Sequence, residues 1–440
     1  MDAVGLLADL IRTPSVNPDA DGEGAVAERL RAELDAAGVL TDIQVSPGGR
    51  PSLIARLEGP TDRPPLVLLS HTDVVPVEAS AWSRDPFGGE VVDGALWGRG
   101  ALDMKGVAVM HAHAVAALAA RPGERSREVV LVAVADEEAG GEEGAGWLVR
   151  ERPELVGLRD GQPPPEVLGE GAYGLSGLLA RPVMPIVLGE KTPLQVRARA
   201  VATPGHGALP PDRQAIRNLA RFVQAVSGPR NPRLHPVMRE QFTVLAETAG
   251  GPQGRLFQLL AGPLGPRLIR PLAPVLRARA GAIGHVVADT VTPTMLQAGY
   301  AGNVVPGEAS AQFDCRLLPD ADPDRVLFEL RVAGRRLGIE VDEVQRLAGG
   351  TSDRTPLFDA VAHVSARLPT SPVPVPSLTP GATDLRFFRA AGATGIGWVP
   401  LVLDPELLAT FHGHDERVPL EQFSAAVEAV TEVVRLAATA

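Results

Sequence analysis

The chain has 440 residues, enough for more than one core, and its 45% hydrophobic content is that of a folded globular protein. A formal net charge of -11 argues against a nucleic-acid partner, because phosphate binding calls for a basic face. A single cysteine excludes an intramolecular disulfide, and no apolar run reaches the roughly 20 residues of a membrane span. The N-terminus has no basic, apolar leader pattern. A cytoplasmic protein without a membrane partner is expected.

Residues 2–12 and 24–38 read as amphipathic helices, the second closing on Gly38 as a helix C-cap. Short strands and helices then alternate to about residue 189. The apolar run Leu66-Val67-Leu68-Leu69 leads into Ser70-His71-Thr72-Asp73, and residues 129–135 lead likewise into Asp136-Glu137-Glu138. Between them stands Gly98-Arg99-Gly100-Ala101-Leu102-Asp103-Met104-Lys105-Gly106, followed by a buried alanine-rich helix over 107–119. Lys105 is one of only two lysines; a role inside this motif and a surface position are both open. The proline-rich pieces 162–165 and 181–185 read as loops.

From about residue 190 the texture changes. Residues 194–201 alternate apolar and polar side chains as a half-exposed antiparallel strand does. A helix over 215–226, a strand over 312–317 holding a buried Cys315, and a helix over 323–337 complete a small α+β unit. Residues 236–285 are rich in Leu, Pro, Gly and Arg, with helical periodicity in places and no assignable role. The expected organisation is therefore residues 1–189 and 348–440 as two parts of one domain, with 190–347 inserted.

In an open parallel sheet, ligands bind beyond the carboxyl ends of the strands. The acidic and imidazole groups that follow the apolar runs are expected to meet there. Packed together without a cation, such groups would repel and desolvate badly, so a divalent metal centre is expected. Asp136 is read as structural. His111 and His113, two apart on a helix, do not face together; they, with His235, His285 and His363, are read as ordinary core or surface residues.

With these motifs in view, the chain resembles the M20 family of metallopeptidases and amidohydrolases, which includes aminoacylases, biosynthetic deacylases and carboxypeptidases. The resemblance implies an α/β fold, with a mostly parallel-sheet zinc-peptidase catalytic domain carrying an inserted α+β lid or dimerisation domain. It implies His71, Asp103, Glu138, Glu170 and His412 as metal ligands, with Asp103 bridging two divalent ions. Zinc is the expected metal and cobalt an alternative. His412 is selected over His414 because it precedes Glu416 by four residues, a spacing shared by several family members. Asp73 is implied to orient His71, and Glu137 to be the general base for a metal-bridging water.

His206, within Thr203-Pro204-Gly205-His206-Gly207, is implied to stabilise the oxyanion. Asn303, Arg316 and Arg386 are candidate substrate contacts, Arg386 as a bidentate partner for a carboxylate. A surface ion pair is an equally ordinary fate for Arg316. The peptide bond after Asp103 is implied to be cis. The activity implied is amide hydrolysis in a small N-acyl amino acid or short peptide, with a homodimer through the inserted unit as one arrangement. A biosynthetic deacylase of acetylornithine or succinyl-diaminopimelate type is the second reading. An inactive, peptidase-like binding protein is a remote third.

Overall fold

The computed structural model describes residues 1–177, 179–279 and 282–439 and shows an α/β fold built on two main sheets. The larger sheet runs in the order Leu40–Val45, Pro51–Leu57, Val129–Val134, Leu66–His71, Glu166–Leu175, Thr394–Leu403, Val183–Glu190 and Gly350–Thr351, and Val373–Thr379 pairs beside Val183–Glu190. Its centre is parallel. Leu66–His71 lies between Val129–Val134 and Glu166–Leu175, and Thr394–Leu403 follows in the same direction.

Leu66–His71 and Val129–Val134 are buried along their whole length. Both faces of these strands are covered, which is why they read as unbroken apolar runs. On one face, Leu66, Leu68 and Leu131 pack with Leu10, Met110, Val115, Phe423 and Val430 from the helices Ala3–Ile11, Lys105–Ala119 and Leu420–Thr439. On the other, Val67, Leu69 and Val132 pack with Leu148 and Phe388 from Ala145–Glu151 and Leu385–Ala390. The second helix runs Ala20–Ala36, beginning before the expected start because Asp19 caps it by accepting from the Asp21 N–H.

The second sheet is antiparallel, in the order Gly228–Arg230, Asp289–Ala298, Glu308–Leu317, Thr192–Val201 and Ile339–Arg346. Its inward residues Val196, Ala198, Phe313 and Cys315 share a core with Leu219, Phe222 and Leu330 of the helices Ala215–Val226 and Pro323–Arg335. Cys315 is free, and burial pushes its thiol up to about 12.

Residues 236–285 form the helices Pro236–Ala249, Gly251–Ala261, Gly265–Arg279 and Ala282–His285. Phe242, Phe257, Ile269 and Leu276 bury themselves with Val183, Val373, Val375 and Leu378, at the edge of the larger sheet. One expectation is corrected. The 181–185 piece is not all loop, because Val183–Glu190 begins within it and Pro185 pairs opposite Val375. That strand is paired along its length on one side only, where a missing N–H costs no ladder bond on the open side. Among the described residues no helix is long and apolar enough to cross a membrane.

Candidate metal centre and active site

His71 ends the strand Leu66–His71 and is fully buried. Its Nδ1 lies 2.9 Å from the Asp73 carbonyl oxygen and 3.4 Å from Asp73 Oδ1. A carbonyl oxygen can only accept, so Nδ1 carries a ring proton and Nε2 is the nitrogen left to hold either a second proton or a metal ion. Nε2 faces Asp103 Oδ1 at 3.2 Å, while Asp103 Oδ2 lies 2.7 Å from His412 Nε2. Glu138 Oε1 is 3.4 Å from the same His412 nitrogen, and Glu170 Oε2 is 4.0 Å from His71 Nε2. Asp103 thus stands between two imidazoles, one oxygen toward each, with a second carboxylate on either side.

Asp73 is buried and does more than orient His71. It accepts from the backbone N–H of Glu137 at 3.2 Å and of Glu138 at 3.0 Å, and from Asn17 Nδ2 at 2.7 Å. Asp136 shapes the same turn from the left-handed region, with φ 73. It pairs with Arg50 at 3.1 Å and accepts from the Glu143 N–H, while Arg50 Nε holds buried Glu23 at 2.6 Å. Asp136 is structural, as read. Arg50→Ala should cost about 3–5 kcal/mol in a denaturant titration, because it leaves two buried carboxylates without their cation.

Glu170 does not end a strand; it lies inside Glu166–Leu175. Pairing with Leu66–His71 stops at Leu168, and the register against Thr394–Leu403 shifts after Gly397. Glu170 therefore sits level with Ser70, on a stretch already leaving the ladder. Asp103 lies in the loop before Lys105–Ala119, and the Asp103–Met104 peptide is cis. Lys105 is not on the surface. It is fully buried and donates to the carbonyls of Leu10 and Thr13, tying the first helix to the Asp103 loop.

His412 has φ 55, and the Phe411 ring stacks on its imidazole with centroids 4.5 Å apart. The Tyr173 ring meets Phe411 edge-on at 5.8 Å, and its hydroxyl donates to the Leu102 carbonyl. Glu416 is buried, accepts from the backbone N–H groups of Gly100, Leu102 and Asp103, and pairs with Arg99. One loop thus delivers His412 and holds the loop of Asp103. His414 makes no contact with the cluster among the described residues.

The electrostatics ask for positive charge. Burial pulls the His71 pKa down, but its hydrogen bonds to Asp103 and Asp73 outweigh that and hold it well above the ordinary value. The hydrogen bond to Asp103, then the nearby Glu138 carboxylate, lifts His412 to about 10. Burial, then the Asp103 charge, raises Glu170 to about 8; burial, then the Glu170 charge, holds Glu137 well above the usual carboxylate range. Left to protons alone, the cluster would retain several at neutral pH.

The donors fit divalent metal. His71 Nε2 and Asp103 Oδ1 face each other across a proton that a cation would displace, and Glu138 Oε1 is buried without a hydrogen bond. A cation satisfies all three, releasing protons as it binds. Ligand atoms of His71, Asp103 and Glu138 lie within 4.8 Å of one another, as do those of His71, Glu137 and Glu170.

A narrow hollow beside the cluster is lined by Ser70, His71, Met104, Glu137, Glu170 and Asp384. Asp384 was missed in the sequence. It is 3% exposed with neither oxygen hydrogen-bonded, and burial raises it to about 7. Its signal was present in the glycine-bearing turn 381–386, where Arg386 drew the attention instead. Arg386 is 2% exposed and donates to the carbonyls of Thr383 and Gly140, fastening this turn to the Glu137 turn. Asn17 had no such signal, being far from the motifs in sequence, and Tyr173 stands three residues after Glu170 with nothing local to mark it.

The inserted-unit residues stand apart. His206 is exposed in a two-residue strand opposite Val304, its Nδ1 accepting from the Ala208 N–H. Exposed Asn303 accepts from the Gly207 N–H, so these two are brought together. Arg316 pairs with Asp314 at 3.0 Å. None of the three contacts the cluster among the described residues.

The sequence model of Peptidase family M20/M25/M40 matches residues 67–436. Aminoacylase-1 of Sus scrofa is 30% identical over 446 aligned residues, covering 98% of this chain and 94% of that protein. Succinyl-diaminopimelate desuccinylase of Cereibacter sphaeroides is 42% identical over 177 residues, covering 39% of this chain and 45% of that one. The fold is similar to that of an M20 family metallo-carboxypeptidase, Sso-CP2 from Sulfolobus solfataricus, with a TM-score of 0.74, 19% identity and 99% of each chain covered. The match to the family along most of the chain, together with the aminoacylase likeness, makes this protein a member of the M20/M25/M40 peptidase family, a hydrolase of amide or peptide bonds.

Proposed function

We propose that the chain is a two-metal amidohydrolase that cleaves a small N-acyl amino acid or short peptide. The observation that carries this reading is Asp103, whose two oxygens face two different imidazoles. His71 with Glu170 would hold one ion, Glu138 with His412 the other, and Asp103 both. Imidazole and carboxylate donors suit zinc, with cobalt as a substitute. Bound ions would make a water molecule acidic and polarise the amide carbonyl.

The remaining chemistry belongs to the chain. Glu137 lines the hollow beside Glu170 and Ser70, while Glu138 sits against His412. This favours Glu137 as the group that takes a proton from the attacking water and returns it to the leaving amine. Asp73 holds both glutamates in place through their backbone N–H groups and keeps His71 in one tautomer. His206 would donate to the oxyanion from the partner subunit of a homodimer formed through the inserted sheet, with Asn303 and Arg316 beside it on the substrate. The single buried, free Cys315 fits a cytoplasmic setting.

N-acyl amino acids are favoured over a biosynthetic deacylase's substrate because the aminoacylase likeness runs the length of the chain and the desuccinylase likeness does not. Turnover of a panel of N-acyl amino acids, dipeptides, acetylornithine and succinyl-diaminopimelate by the metal-loaded enzyme tests this. Elemental analysis should find about two divalent ions per chain, with activity lost to a chelator and restored by Zn²⁺ or Co²⁺. Full activity with one ion or none would end the two-metal reading.

A further inference from the structure

The negative net charge of the chain conceals one basic face. Residues 248–288 carry five arginines and no acidic residue, against a total of -11. Gly251–Ala261 and Gly265–Arg279 both bury one side in the core that holds Val373 and Val375: Phe257 and Leu260 from the first, Ile269, Ala273 and Leu276 from the second. Their opposite sides therefore point away from the larger sheet.

On the second helix that outer stripe is Arg267, Arg270, Pro271, Pro274 and Val275, spaced as one helical face. Arg255 and Leu259, four apart, occupy the outer side of the first helix, and Leu264 stands in the link between them. Leu259, Leu264 and Val275 are 51%, 51% and 52% exposed. The guanidinium groups of Arg255, Arg267 and Arg270 are exposed and make no ion pair or hydrogen bond among the described residues.

We propose that this face docks on an anionic lipid surface. Unpaired arginines interleaved with exposed leucine and valine are the two elements of interfacial binding: charge attraction to headgroups and shallow burial of apolar side chains. A complementary protein surface would more ordinarily meet acids and bases mixed along the same segment, and residues 248–288 hold no acid. The expectation of no membrane partner rested on the lack of a spanning segment, which does not bear on a peripheral face. This inference does not rest on the proposed reaction.

The test is flotation of the full-length chain with vesicles of phosphatidylcholine alone or mixed with phosphatidylglycerol, at low and high salt. Binding should require the anionic lipid and fall with salt. Each arginine near such a surface is worth roughly fivefold in affinity, so Arg255→Ser, Arg267→Ser and Arg270→Ser together should weaken binding by about 10²-fold. Leu259→Ser, Leu264→Ser and Val275→Ser together should abolish the binding that survives high salt. These side chains are exposed, and far-UV circular dichroism verifies that the fold is kept. Equal binding to neutral vesicles, no flotation, or an unchanged arginine variant overturns the proposal. So does retention on a soluble polyanion, or arginine-dependent self-association, without flotation.

Discussion

Glu137→Gln should keep the metal content of the parent chain and its fold and lose about 10²–10⁴-fold in kcat, the usual contribution of a positioned base. The amide matches the carboxylate in shape but cannot take a proton from water at neutral pH. The neighbouring change gives the control. Glu138→Gln should lower metal affinity first, because Glu138 lies beside His412 and within ligand distance of His71 and Asp103. Ligand atoms of His71, Glu137 and Glu170 are equally close, so the pair is distinguished by experiment. Metal content and kcat, measured on both variants, decide it, and exchanged phenotypes would reverse the two roles.

His206→Ala should lower kcat by roughly 10²–10³-fold, the typical cost of losing one oxyanion donor, with metal content unchanged. The cluster itself supplies only carboxylate acceptors and imidazoles already engaged, so a donor has to come from elsewhere. Among the described residues exposed His206 pairs only with Val304 of its own sheet and the Ala208 N–H, which leaves it able to complete a site in another subunit. A homodimer formed through the inserted sheet would bring the histidine in this way. If it does, mixing inactive His206→Ala and Glu137→Ala chains should restore activity through hybrid dimers with one intact site. Verified subunit exchange without rescue would exclude the arrangement between subunits. A near-normal kcat in His206→Ala would exclude the role itself.

The sequence determined the parallel core and much of the site. Leu66–His71 and Val129–Val134 are buried on both faces, so their apolar runs were visible without a partner, and the polar residues that follow them marked where a ligand would lie. The motif around Asp103 and, through the family resemblance, the spacing of His412 to Glu416 placed two further candidates beside them. Tertiary structure decided the rest, because those contacts join residues whose separation in the chain carries no period. Asn17 reaches Asp73, Tyr173 reaches both Phe411 and the Asp103 loop, and Glu416 accepts three N–H groups from a segment about three hundred residues earlier.

Arg386 shows the limit most plainly. A turn arginine beside a cleft looks the same in sequence whatever its fork faces, and only the approach of Gly140 brought a backbone carbonyl to it. Helical periodicity in residues 236–285 likewise specified an apolar side but not what it covers. The answer lay in Val373–Thr379, an edge strand that no local pattern connects to it.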